Sequence, residues 1–113
     1  MSFYETRELH KKEALRTHWY ACSYNEAKEV IISMANVFGF SIVDINDTYQ
    51  EILLDGRGSL VVKVCSFGKY EQGIDFNFDN HHIIDFGAGA RFITKLYSYI
   101  GSKLRFKGVS LHP

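Results

Sequence analysis

The residues best suited to chemistry lie in the final third of the chain. Phe86-Gly87-Ala88-Gly89-Ala90-Arg91 reads as a strand end, a Gly-x-Gly turn and a helix N-terminus with a guanidinium in its first turn. Free backbone N–H groups and the helix dipole favour an anion at such a place, and glycines let its oxygens approach closely. With Lys95 one helical turn further on, Gly87, Gly89, Arg91 and Lys95 form the candidate anion-binding set. The fingerprint is incomplete. A dinucleotide-binding motif wants a third glycine where this chain has Phe92, and no Lys-Ser or Lys-Thr of a phosphate-binding loop follows. A tight strand-to-helix turn accounts for the same glycines without any ligand.

Metal-capable side chains gather in Asp79-Asn80-His81-His82, with Asp75 and Asp85 on either side. Adjacent histidines on a strand face opposite ways, so His81 and His82 do not readily share an ion. The candidate metal set is therefore Asp75, His81 and Asp85, weighed against the ordinary use of polar residues at a hairpin tip. Cys65, in the run Val61-Val62-Lys63-Val64-Cys65, reads as a buried apolar thiol rather than a nucleophile. No motif calls for a cofactor. A small enzyme with a polar pocket near Asp75 and His81 stands only as the second alternative.

Charge is unevenly spread along a chain whose formal charge sums to +0. The stretch Val30 to Asp55 holds Asp44, Asp47, Glu51 and Asp55 and no Lys or Arg, whereas Arg91, Lys95, Lys103, Arg105 and Lys107 crowd the end with no acid among them. Basic groups interleaved with Tyr97, Tyr99 and Phe106 are the ingredients of a single-strand nucleic-acid surface. The isoelectric point near 7.0 weighs against that use. Lopsided charge on a neutral chain suits the pairing of acidic and basic surfaces between copies.

The elements that would carry these residues follow from periodicity. Phe3 to Arg16 is dense in charge with a thin apolar stripe, and is expected as a short helix or a loosely held arm (residues 1–16). Leu15 to Ala21 alternates as a first strand. Ser23 and Glu26 compose a capping box ahead of Ala27, Val30, Ile31, Met34 and Phe38, an apolar face at helical spacing that Gly39 ends. Short strands are expected over 40–45, 49–54, 60–67, 74–78 and 82–86, joined by connections too short for parallel crossovers. Ile74, Phe76 and Phe78 take one face of the sheet, and Asp75, Asn77 and Asp79 the other. A second amphipathic helix spans Ala88 to Leu104, with Phe92, Ile93, Leu96, Tyr97 and Ile100 inward. The tail, Arg105 to Pro113, is expected either as an edge strand through Phe106, Val109 and Leu111 or as an irregular end.

The expected architecture is one two-layer α+β domain over residues 1–113: a curved antiparallel meander of about five strands with two helices on its apolar face. Leu53, Val61, Phe67 and Ile83 make the opposite face half apolar, and such a face usually has something resting on it. Those four residues are the candidate interface of a homodimer or protein partner. Hydrophobic residues at 46% and charged residues at 23% fit a folded globule. Two distant cysteines, and no visible secretory signal or bilayer-length apolar run, set a cytoplasmic location with no membrane partner as the expectation. The leading functional reading is a non-enzymatic binding or adaptor domain that self-associates. The alternative is an anionic ligand or nucleic acid held by the basic C-terminal helix and the Gly87–Gly89 turn.

Overall fold

Alternation and helical spacing resolve into two layers. The computed structural model describes residues 2–81 and 86–113, and all structural statements below concern those residues. The strands are β1 (Ser2–Glu5), β2 (His18–Ala21), β3 (Ser41–Asn46), β4 (Glu51–Asp55), β5 (Gly58–Ser66), β6 (Gln72–Asn80) and β7 (Arg105–Val109). The helices are α1 (Tyr24–Val37) and α2 (Ala88–Lys103), and one 3-10 turn spans Glu13–Leu15. The strands form a single antiparallel seven-stranded sheet in the order β3-β4-β5-β6-β2-β7, with β1 also paired to β6.

The α+β class and the antiparallel meander are as expected; the strand count is higher because both ends of the chain join the sheet. Ser2–Glu5 pairs with Asn77–Asn80 of β6, and His18–Tyr20 pairs with Gln72–Ile74 of the same strand. So β1 and β2 lie along one line, interrupted by an excursion that contains the 3-10 turn. The helix or arm expected over this region is thus a strand, a loop and one short turn. Its sparse apolar positions could not cover a helix face, whereas the open edge of β6 offered backbone partners. Thr6 continues the ladder, its N–H donating to the Phe76 carbonyl at 2.9 Å. The strand expected over 82–86 lies outside the described residues apart from Phe86, which sits in a turn at φ 50°.

Period-two burial holds through the meander. Phe76 and Phe78 are fully buried opposite Val62 and Leu60, while Asp75 and Asn77 face the other way. Ile52, Leu54, Ile74, Ile31, Met34, Ile93, Leu96 and Ile100 complete the buried layer between sheet and helices. α1 is capped as its sequence demands: the Glu26 N–H donates to Ser23 Oγ at 3.1 Å, and the Ser23 N–H donates to Glu26 Oε1 at 2.9 Å. Arg91, Lys95, Ser98 and Ser102 lie exposed on α2, opposite its buried arc. No helix is long and apolar enough to cross a membrane.

On the second face Trp19 is 2% exposed, although no helix covers it. The end of the chain does so. His112 stacks on Phe67 with ring centroids 3.6 Å apart and meets Trp19 edge-on at 4.5 Å. Glu8 accepts from the indole N–H and from the His112 N–H, and Glu71 pairs with both Lys107 and His112.

Candidate functional site

A cleft of about 720 Å³ opens between α2, β2, β7 and the 3-10 turn. That volume lies within the range of small-molecule sites. Strand pairing sets its floor. His18 and Tyr20 are two apart on β2 and so share the helix-side face, and Phe106 and Val109 stand opposite them on β7. Tyr97, Ser98 and Gly101 line the cleft from α2, spaced to recur on one side of the helix. Glu13 and Ala14, both exposed, form the rim at the 3-10 turn.

His18 is held in a defined tautomer. Its Nδ1 lies 2.8 Å from the Arg16 carbonyl, which can only accept, so Nδ1 carries the proton and donates. In the neutral ring Nε2 is then left as an acceptor, with no hydrogen-bond partner among the described residues. Burial pushes the His18 pKa below its ordinary value, against the opposing pull of that carbonyl, and so favours the neutral form. The ring stacks on Tyr97 at 3.6 Å with planes 12° apart, and Phe106 leans on it at 5.5 Å.

Behind this stack the polar atoms are well satisfied. The Tyr97 hydroxyl donates to the Ile74 carbonyl at 2.7 Å and lies 3.1 Å from Thr6 Oγ1. The Thr6 and Thr17 hydroxyls both donate to Asp75 Oδ1, at 2.6 and 2.7 Å. Burial and the Asp75 charge push the Tyr97 pKa well up, so the phenol stays protonated. Tyr20 is the exception. Its side chain is part of the cleft wall and fully buried, yet its hydroxyl has no hydrogen-bond partner among the described residues. An unpaired buried hydroxyl costs about 1–3 kcal/mol, so it needs an explanation.

The residues singled out from sequence lie elsewhere. Gly87, at φ 79°, is the N-cap of α2, and the carbonyl of Phe86 accepts from the Arg91 guanidinium at 2.9 Å. Gly89 packs beneath Tyr4 so closely that an added Cβ would lie 2.1 Å from the ring. Turn geometry and packing therefore explain both glycines, and Lys95 is exposed one turn along. Asp75 is half-buried and committed to Thr6 and Thr17; His81 is exposed, and Asp85 lies outside the described residues. Among the described residues no group of three metal-capable side chains comes together. Leu53 and Val61 are neighbours on β4 and β5, half-buried on the second face; Phe67 belongs to the cover over Trp19, and Ile83 lies outside the described residues. Cys65 is exposed on that face rather than buried. Burial still raises the Cys65 pKa, which disfavours the thiolate.

Sequence reasoning missed the cleft because each of its residues has an ordinary explanation alone. The signal available was His18-x-Tyr20 on one strand face with Tyr97-Ser98 and Gly101 on an amphipathic helix, and nothing in the sequence joins them. No protein-family model matches the chain, and no curated protein sequence does.

Proposed function

We propose that this domain binds a small molecule in the cleft between α2 and the β2–β7 edge of the sheet. The observation that carries the reading is the floor of the cleft, where His18 lies stacked on Tyr97 with its Nδ1 donating to the Arg16 carbonyl, so that Nε2 is left as an acceptor without a hydrogen-bond partner among the described residues. Aromatic floor, sparse polar groups and a volume of about 720 Å³ agree with it. The domain is a binding module in this reading, with no reacting group required. Its test is an amide spectrum titrated with small aromatic probes, neutral and charged. Shifts should concentrate at Gly101, Phe106 and Val109, and Gly101→Phe, which adds a ring at an open position, should suppress them. Shifts spread evenly over the surface, or none for any probe, would end the proposal.

A second reading, association between copies, is favoured by where the charge falls. Asp44 lies on β3 and Arg105 on β7, the two opposite edges of one sheet. Neither makes an ion pair among the described residues. Edges of opposite sign suit head-to-tail contact with a second copy rather than two-fold pairing. Sedimentation at low salt should then show mass growing with concentration, and Arg105→Glu should abolish the growth. A monomer at every concentration would exclude it. The two free thiols, Cys22 and Cys65, fit a reducing cytoplasmic setting for either reading.

A further inference from the structure

The cleft has acceptors and no fixed cation. Among the described residues its only charged lining residue is Glu13, at the rim. The nearest arginine in sequence, Arg16, sends its Nε to the His10 carbonyl at 2.8 Å instead. His18 Nε2 accepts in the neutral ring, and the exposed ring of Phe106, 49% accessible, offers an electron-rich face. The exposed hydroxyl of Ser98 can accept or donate as a ligand requires. An anionic ligand would meet no opposite charge here and one like charge. A ligand bearing an ammonium group would meet a carboxylate, a ring nitrogen and an aromatic face.

From this, and resting on the cleft reading above, we infer that the ligand is a primary amine carrying an apolar, ring-sized body: the body lies over Phe106 beside the His18–Tyr97 stack, and the ammonium group donates to His18 Nε2 and Glu13. This is the reverse of the anion specificity suggested by the basic C-terminal residues. Those residues point elsewhere, since Arg91 and Lys95 occupy the exposed face of α2 and Lys107 is paired with Glu71.

Three probes of matched shape separate the possibilities: 2-phenylethylammonium, 2-phenylethanol and 3-phenylpropionate, each titrated into the intact protein while groove amides are followed. The amine is expected to bind about tenfold more tightly than the alcohol, from an exposed cation–π contact and an exposed ion pair together. The carboxylate should bind more weakly than either. Glu13→Gln, an exposed substitution that leaves the fold intact, should weaken the amine about threefold and leave the alcohol unchanged. Equal affinity for alcohol and amine, preference for the carboxylate, or an amine affinity indifferent to Glu13→Gln would each overturn the amine assignment while leaving the cleft as a binding site. Failure of all three probes to move Gly101, Phe106 or Val109 would overturn both.

Discussion

Substituting alanine at two glycines of α2 should change stability in opposite directions. Gly89 faces Tyr4: an ideal Cβ there would stand 2.1 Å from the ring, roughly 1.4 Å inside the ordinary carbon–carbon contact of about 3.5 Å. The ring is packed against the core and cannot swing away freely. Overpacking of this kind costs up to about 3 kcal/mol, and alanine returns about 1 kcal/mol of helix propensity, so Gly89→Ala should lose about 2 kcal/mol net. At Gly101 an added Cβ meets nothing within 4 Å. There the propensity gain stands alone, about 0.5–1 kcal/mol, reduced if anything by the nearness of the helix end. In thermal unfolding followed by circular dichroism, Gly89→Ala should lower Tm by about 8 °C and Gly101→Ala should raise it by a few degrees, at about 4 °C per kcal/mol. Combining Gly89→Ala with Tyr4→Leu should shrink the penalty, because the clash is with that ring. If the two alanine variants moved Tm in the same direction, or Tyr4→Leu left the Gly89 penalty unchanged, the packing explanation of the Gly-x-Gly turn would be wrong. An anion cradle would then again be a reason for those glycines.

Removing the unpaired hydroxyl should cost the ligand-free protein nothing: Tyr20→Phe is expected to raise the unfolding free energy measured in urea by about 1 kcal/mol, and a loss of that size would mean the hydroxyl is satisfied in solution. Asp75 should leave a pH signature. Burial raises its pKa above the ordinary value, with the Thr6 and Thr17 hydroxyls opposing the shift. The folded state then holds the proton more tightly than the unfolded chain. This group therefore favours folding most at low pH, below the unfolded value, and that contribution fades as pH rises through the folded value. Asp75→Asn, uncharged throughout, should gain on the parent as pH climbs from about 4 to about 7, and parallel stability curves for the two proteins would contradict the assignment.

The parts of the fold that could be read from sequence are those where one residue pattern has one physical solution. Ile74, Phe76 and Phe78 alternate with Asp75, Asn77 and Asp79, and only a strand buries the first set while turning the second to the opposite face. Ser23 with Glu26 marks a helix start, since both side chains close on backbone N–H groups that the first turn leaves open. The N-terminal segment carried no such pattern. Whether Ser2–Glu5 forms a strand depends on an open edge of β6, more than seventy residues away, and its own composition does not record that edge. Likewise Cys65 looked buried because its neighbours are valines, but it lies exposed on the second face.

The candidate site was hidden by the same dependence on distant partners. Charge and glycine patterns are conspicuous along a sequence, and they drew attention to Gly87, Gly89, Arg91 and Lys95; in the fold Gly87 caps α2, Gly89 packs beneath Tyr4, Arg91 donates to the Phe86 carbonyl and Lys95 is exposed. His18 carries no local mark of a site. It becomes an acceptor with a fixed tautomer only because Arg16 turns a carbonyl toward its Nδ1 and α2 lays Tyr97 flat against its ring. Tyr20 becomes an unpaired donor only because β7 and α2 close over it without offering a partner. An imidazole with one nitrogen committed to backbone, on the floor of a cleft that has room for a ligand, is more informative than basic residues that water, Glu71 or the Phe86 carbonyl already satisfies.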